Sequence, residues 1–164
     1  MRDFPGAKLC DELRAPAKLR SHLKAVHDLA EDILDGMIMV WPDLKIDVEA
    51  VLCGAAIHDL GKMKFPGEID GPGRRHEDEG AAFLEGHGVP PRMARFASIH
   101  TGDKAGTLEE HVVALADASW SGGRDLDLEL RIAELLTLRG IRKWDAVQRL
   151  DEILGKARVS PVGS

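Results

Sequence analysis

The fold is decided by residues 51–62, VLCGAAIHDLGK, in which an apolar run ends in the adjacent residues His58 and Asp59. The run predicts a helix that is buried in a core. Burying an imidazole and a carboxylate side by side at the end of such a helix costs free energy unless another charge compensates them. A divalent cation does so, because neutral imidazole and ionised carboxylate are both metal ligands. The stretch therefore indicates a core helix that ends in metal ligands.

The composition is ordinary for a soluble globular protein. The chain has 164 residues, of which 44% are hydrophobic and 30% charged, enough for one domain with a sizeable core. The net charge of −6 argues against a nucleic-acid polymer bound through a broad basic face. No apolar run approaches a membrane span and residues 1–8 lack the apolar core of a signal peptide, so we expect a cytoplasmic protein without a membrane partner. Cys10 and Cys53 are expected to be buried thiols.

Helical periodicity runs through almost the whole chain, and alternating strand patterns are lacking. Apolar residues recur at helical spacing over residues 19–40, and Trp41-Pro42 ends that helix. Asp47 is the expected N-cap of a helix over residues 48–60, and Gly61 is expected to end it in a left-handed conformation. The Gly- and Pro-rich residues 63–73 predict a surface loop. Further helices are predicted over residues 3–13, 75–85, 91–100, 108–120, 127–139 and 144–156.

Six residues on different predicted helices are candidate metal ligands. His22 shares one helix face with Val26 and Ala30, so the face that packs into the core would also present a histidine. Asp117 lies within the apolar VVALADASW, where a carboxylate needs a compensating partner. Taken singly, each candidate has an ordinary structural explanation, such as a hydrogen-bonded core histidine. The full set is His22, His58, Asp59, His76, His100 and Asp117.

Three other histidines are left outside this set. His27 lies five residues after His22, which rotates it about 140° away from that helix face, so we expect it to face solvent. His87 lies between glycines in a predicted turn, and His111 falls on a different side of its helix from Asp117.

The order of these residues resembles the signature of the HD-domain superfamily of metal-dependent phosphohydrolases. That signature is a histidine, a His-Asp doublet and a distant aspartate, matched here by His22, His58-Asp59 and Asp117. The variant HD-x-G-K also matches, with Lys62 as its last residue. The resemblance covers roughly residues 19–120 and implies an all-α fold, a single HD-domain helical bundle. Its core would span about residues 17–121, followed by closing helices over about residues 127–156.

Within the superfamily, several stretches look most like the bacterial enzymes that hydrolyse symmetrical diadenosine tetraphosphate. These are HEDEGAAFL, SIHTG, LEEHVVALAD and the pair Arg124-Asp125. The chain departs from that group in two places: it has HTG from His100 where the group has HTTG, and ASWS after Asp117 where the group has YIEP. HD-GYP phosphodiesterases share HD-x-G-K, but this chain has no tyrosine and lacks their Gly-Tyr-Pro element.

The resemblance implies a dinuclear metal site, since His76 and His100 match the subset of the superfamily that holds two metals. Asp59 would bridge the two cations, with His22, His58 and Asp117 on one of them and His76 and His100 on the other. Two such cations would hold a bridging hydroxide that attacks phosphorus. Histidine-rich ligation favours a transition metal over magnesium, and the resemblance suggests iron or manganese.

The expected function is hydrolysis of a small phosphorylated substrate, a nucleotide or a related phosphoester. Asp59 and Lys62 are the predicted catalytic residues, and Lys62 and Arg124 are predicted to bind substrate phosphate. Two other functions stay open: a di-iron HD-type oxygenase, and a catalytically silent sensor that binds metal and nucleotide. A homodimer is open as well, because Leu130, Ile132, Leu135 and Leu136 could line either the core or a dimer face.

Overall fold

The chain forms helices connected by short turns. A computed structural model describes residues 4–99 and 104–157, and within these ranges there is no strand, which confirms the all-α fold class. Residues Leu60–Met63 and Arg95–Ser98 form 3₁₀ segments. The α-helices of the described ranges are α1 Ala7–Leu13, α2 Ala17–Val40, α3 Val48–Ile57, α4 Gly67–Asp70, α5 Arg75–Glu85, α6 Pro91–Ala94, α7 Leu108–Ser119, α8 Leu126–Thr137 and α9 Lys143–Lys156.

Helix α2 is the centre of the fold. It runs from Ala17 to Val40 and is followed by Trp41, where the sequence predicts its end, and it packs against α3, α7 and α9. Helix α2 contributes side chains to two buried hydrophobic clusters. Leu19 belongs to the smaller cluster, and Val26 and Leu34 belong to the larger one. Burying one such side chain stabilises the fold by about 1.5–3 kcal/mol. None of the helices in the described ranges is both long and apolar enough to span a bilayer.

Side-chain caps set the starts of several helices. The Asp47 carboxylate accepts a hydrogen bond from the Ala50 N–H at 3.0 Å, which confirms the predicted N-cap of α3. Thr107 and Glu110 form a reciprocal capping box at the start of α7, a pattern that satisfies two N–H groups which the helix leaves unbonded. The predicted helix over residues 91–100 is divided in the structure, where α6 gives way to the 3₁₀ segment Arg95–Ser98.

The prediction of a left-handed cap at Gly61 is wrong. Helix α3 ends at Ile57, and Gly61 lies within a 3₁₀ segment without a positive φ angle. The reason for a glycine here is a close contact between elements. A Cβ atom at Gly61 would lie 2.8 Å from the Gly80 Cα and 2.9 Å from the His76 carbonyl oxygen. Gly61 therefore allows α5 to approach the segment that follows the His58-Asp59 doublet.

Two predictions about burial are also corrected. His27 does not face solvent: it is 1% exposed, because the Phe4 ring covers this side of α2 with its centroid 5.5 Å from that of the imidazole. Cys10 is buried as predicted, but Cys53 is only partly buried. Four residues of α8 could line either the core or a dimer interface according to the sequence. Of these, Ile132 and Leu136 lie in the core.

Candidate metal centre

Four of the six predicted ligands meet at one place. They are His22 from α2, His58 and Asp59 directly after α3, and Asp117 from α7, and each offers one ligand atom within 4.8 Å of the others. His22 Nε2 lies 3.1 Å from both Asp59 Oδ2 and Asp117 Oδ1. His58 Nε2 lies 3.2 Å from Asp117 Oδ1. Two imidazole nitrogens and two carboxylate oxygens converging in this way fit a divalent cation.

The packing of α2, α3 and α7 explains why these residues converge. His22 lies on α2 between Leu19 and Val26, which are both buried, so the helix face that enters the core also carries the histidine. On α7, the apolar residues before Asp117 are buried against the other two helices. The core contacts therefore bring the His22 and Asp117 side chains together, and their role as metal ligands stays a prediction.

The orientation of the His58 ring is set by its second nitrogen. His58 Nδ1 lies 2.8 Å from the Ala55 carbonyl oxygen. Because a carbonyl oxygen only accepts hydrogen bonds, Nδ1 must donate, and Nε2 is the atom presented to Asp117. A backbone carbonyl holding the far nitrogen of a ligating histidine is a common arrangement in metal sites, where it fixes the tautomer of the ring.

The charges of the cluster shift its pKa values strongly. Burial alone would lower the pKa of His58, but the carboxylates of Asp59 and Asp117 outweigh it and raise the pKa to about 9. The pKa of His22 is raised as well, because hydrogen bonds to Asp117 and Asp59 outweigh its burial. The pKa of Asp117 is lowered, since the two imidazoles outweigh the effect of burying the carboxylate. In the metal-free protein the two imidazoles therefore hold protons that a cation must displace, whereas the Asp117 carboxylate is ionised.

The fifth predicted ligand, His76, borders the cluster from α5. Its Nε2 atom lies 3.8 Å from Asp59 Oδ1, whereas His22 Nε2 lies 3.1 Å from Asp59 Oδ2. The two oxygens of Asp59 thus face different histidines. The contact of Gly61 with Gly80 and with the His76 backbone allows this approach of α5. The sixth predicted ligand, His100, lies outside the described residues.

The predicted phosphate-binding residues differ in their surroundings. Lys62 lies beside the cluster, with its Nζ atom 3.1 Å from Asp59 Oδ2 and its side chain 20% exposed. Arg124 instead donates hydrogen bonds to Glu129 and Asp151, at 3.0 Å and 2.9 Å. The substrate-binding roles of both residues stay predictions.

Two residues beside the site are absent from the sequence-based set. Glu68, in the stretch predicted as a plain surface loop, lies on the short helix α4, and its Oε1 atom is 2.7 Å from His76 Nδ1. The Trp120 ring packs edge-on against the His22 ring, with 4.9 Å between the centroids. The only sequence signal for Glu68 is its position: a carboxylate between glycine and proline residues, eight positions before a candidate ligand.

A second group of residues that could bind a metal ion lies further along α2. His27, Asp28 and Glu31 offer ligand atoms within 4.8 Å of one another. This group has one histidine and two carboxylates on a single helix, whereas the cluster around Asp59 brings together two histidines and two aspartates from separate elements, a richer set of transition-metal ligands. The cluster around Asp59 is therefore the better candidate for a metal centre.

Comparison with known proteins identifies a single family. A family model described as "HD domain" matches residues 19–136, a range that includes all four residues of the cluster. No curated protein and no solved structure shows significant similarity to the chain.

Proposed function

Because this chain belongs to the HD domain family, whose members are generally metal-dependent phosphohydrolases, we propose that it hydrolyses a nucleotide or a related small phosphoester. The observation that supports this proposal most directly is the convergence of His22, His58, Asp59 and Asp117, with ligand atoms within 4.8 Å of one another. The group combines the residue types that divalent transition metals select.

In the proposed reaction the residues of the chain have distinct tasks. His22, His58, Asp59 and Asp117 would hold a divalent cation, and the hydrogen bond from His58 to the Ala55 carbonyl would keep the ligating nitrogen in place. When bound, the cation would supply Lewis acidity for the attack of water on phosphorus. The Lys62 ammonium, 3.1 Å from Asp59, compensates negative charge on the phosphate.

We further propose that the site takes two cations, with iron or manganese preferred. The two oxygens of Asp59 face different histidines, His22 and His76, which is the arrangement that a bridging carboxylate requires. Histidine-rich ligation supports a transition metal over magnesium. His100 would complete the second position, as the resemblance implies.

The position of Lys62 favours an anionic phosphorus-containing substrate over a neutral polyol. An ammonium group beside the ligands suits a phosphorylated substrate, whereas the oxidation of a neutral polyol needs no cation there. Oxygen consumption with organophosphonates or polyols would support the oxygenase, and tight nucleotide binding without turnover would support a sensor.

The proposal is tested by substituting two candidate ligands and, as a control, an exposed histidine away from the cluster. Protein purified without chelators is analysed for metal content and assayed for phosphate release from a panel of mononucleotides and dinucleoside polyphosphates. His58→Gln and Asp59→Asn should lose metal and at least about 100-fold in turnover, since removing even an outer partner of a ligand typically costs 10–100-fold. His87→Gln is the control, because His87 is exposed and its Nδ1 donates to the Phe83 carbonyl within its own turn. Full activity in Asp59→Asn would refute the proposal.

A further inference from the structure

The Glu68 carboxylate accepts hydrogen bonds from His76 and is largely shielded from solvent. Its Oε1 atom accepts hydrogen bonds from His76 Nδ1 at 2.7 Å and from the His76 backbone N–H at 3.0 Å. Its Oε2 atom accepts from the Arg75 backbone N–H at 3.2 Å. The Glu68 and His76 side chains are only 9% and 7% exposed. One carboxylate thus binds both the ring and the backbone of a candidate ligand.

These contacts determine which nitrogen of His76 carries the hydrogen. An ionised carboxylate only accepts hydrogen bonds, so His76 Nδ1 must donate. In the neutral ring the lone pair then belongs to Nε2, the atom that lies 3.8 Å from Asp59 Oδ1. A carboxylate behind a histidine fixes ring orientation and raises the basicity of the ligating nitrogen.

The local sequence builds this arrangement from the loop over residues 63–73. Helix α4 begins directly after Pro66, and its last residue, Asp70, pairs with Lys18 of α2. Gly73 has a φ angle of +133°, and a Cβ atom there would lie 2.7 Å from Glu68 Oε2. The glycine therefore leaves room for the carboxylate and turns the chain into α5.

We propose that Glu68 is a positioning residue that holds His76 in the Nδ1–H tautomer, with Nε2 directed at Asp59 to complete a second metal position. The inference rests on the proposed function, because it concerns the same site. Glu68 acts through His76 and does not itself contact the reacting atoms. Its contribution is separate from the four-residue cluster, so its removal should weaken the second position and spare the first.

A purely structural role predicts something different. Because Glu68 also accepts from two N–H groups at the start of α5, its loss could simply fray that helix. Glu79→Ala is the matched control, since Glu79 also lies on α5 and its carboxylate pairs with Lys64 Nζ at 2.7 Å, whereas the Glu68 carboxylate pairs with His76. Glu68→Gln retains an amide oxygen that can accept from Nδ1, so it separates hydrogen-bond acceptance from charge.

The test combines histidine NMR with metal titration of the full chain. Long-range ¹H–¹⁵N spectra of the metal-free protein report the tautomer of His76. The wild type, Glu68→Gln and Glu79→Ala should show the Nδ1–H form, and Glu68→Ala should lose it. In manganese titrations, Glu68→Ala should bind the second equivalent about 10–100-fold more weakly, with the first equivalent unchanged.

The outcomes separate this inference from the proposed function. If Glu68→Ala keeps the Nδ1–H tautomer, or keeps wild-type affinity for the second equivalent while it loses only thermal stability, the inference is overturned and Glu68 is a helix cap. If the wild type releases no phosphate from any substrate but the tautomer changes as expected, the proposed function fails and the positioning role of Glu68 is supported. Turnover in the wild type that Glu68→Ala matches fully would overturn the inference alone.

Discussion

Replacing Gly61 with alanine should push α5 away from the His58-Asp59 doublet. The added Cβ atom would lie 2.8 Å from the Gly80 Cα and 2.9 Å from the His76 carbonyl oxygen. Both contacts are with backbone, so no flexible side chain can move aside. Because non-bonded carbon atoms prefer about 3.5–4.0 Å, the two segments must separate by roughly 0.7–1.2 Å.

The size of that displacement sets the expected effects. Overpacking of this kind typically costs about 1–3 kcal/mol, which for a chain of this length corresponds to a fall in Tm of about 2–12 °C. Metal–ligand distances tolerate only about 0.2 Å. Because α5 carries His76, whose Nε2 lies 3.8 Å from Asp59 Oδ1, Gly61→Ala should weaken the second cation position of the proposed two-metal site more than the first.

Urea unfolding and elemental analysis test this expectation in one preparation. The control is Gly155→Ala in α9, where a Cβ atom meets nothing within 4 Å, so that alanine should be neutral or stabilise by up to about 1 kcal/mol. If Gly61→Ala matches the control in stability and the wild type in metal content, then the close approach of α5 does not require glycine at position 61.

Three further predictions concern stability. In the metal-free protein the folded state binds a proton at His58 more tightly than the unfolded chain does, since its pKa is raised from 6.5 to about 9. The resulting stabilisation, up to about 3 kcal/mol, is therefore fully present below pH 6.5 and is lost as the pH rises through about 9, as urea unfolding with a chelator should show. Asp125→Ala should cost about 1 kcal/mol, because the Asp125 carboxylate accepts from the Leu128 N–H at the start of α8. Leu34→Ala should cost about 2–5 kcal/mol by leaving a cavity beside α2, where Leu34 is fully buried.

Each of these predictions has a clear contrary result. A metal-free protein that gains stability between pH 6.5 and pH 9 would contradict the linkage, because the sign follows from the direction of the His58 pKa shift. An Asp125→Ala variant with wild-type unfolding would mean that the cap contributes nothing. A loss well below about 2 kcal/mol in Leu34→Ala would show that neighbouring side chains collapse into the cavity.

The cluster of candidate metal ligands could be predicted from the sequence because its signals are local. His58 and Asp59 stand out as adjacent polar residues at the end of an apolar run, and Asp117 as a carboxylate within another. Helical spacing placed His22 on the core face of α2. Burial of such groups is costly without compensation, so residue type and periodicity together were informative without knowledge of the packing.

Other features depend on contacts between distant segments. The burial of His27 follows from Phe4 covering α2, and a single helix has no property that reveals which outside residue packs on it. The reason for Gly61 likewise lies in Gly80, nineteen positions later, because the required absence of a side chain is a property of the contact between two segments.

The sequence by itself determined the all-α class, most helix boundaries and the four residues that converge around Asp59, since propensity, capping and apolar periodicity act over a few residues. Only the tertiary structure decided that Glu68 lies behind His76 and that the two oxygens of Asp59 face different histidines. Those relations depend on loop conformation and on the approach of α5 to within van der Waals contact, and both are set by long-range packing that no local pattern encodes.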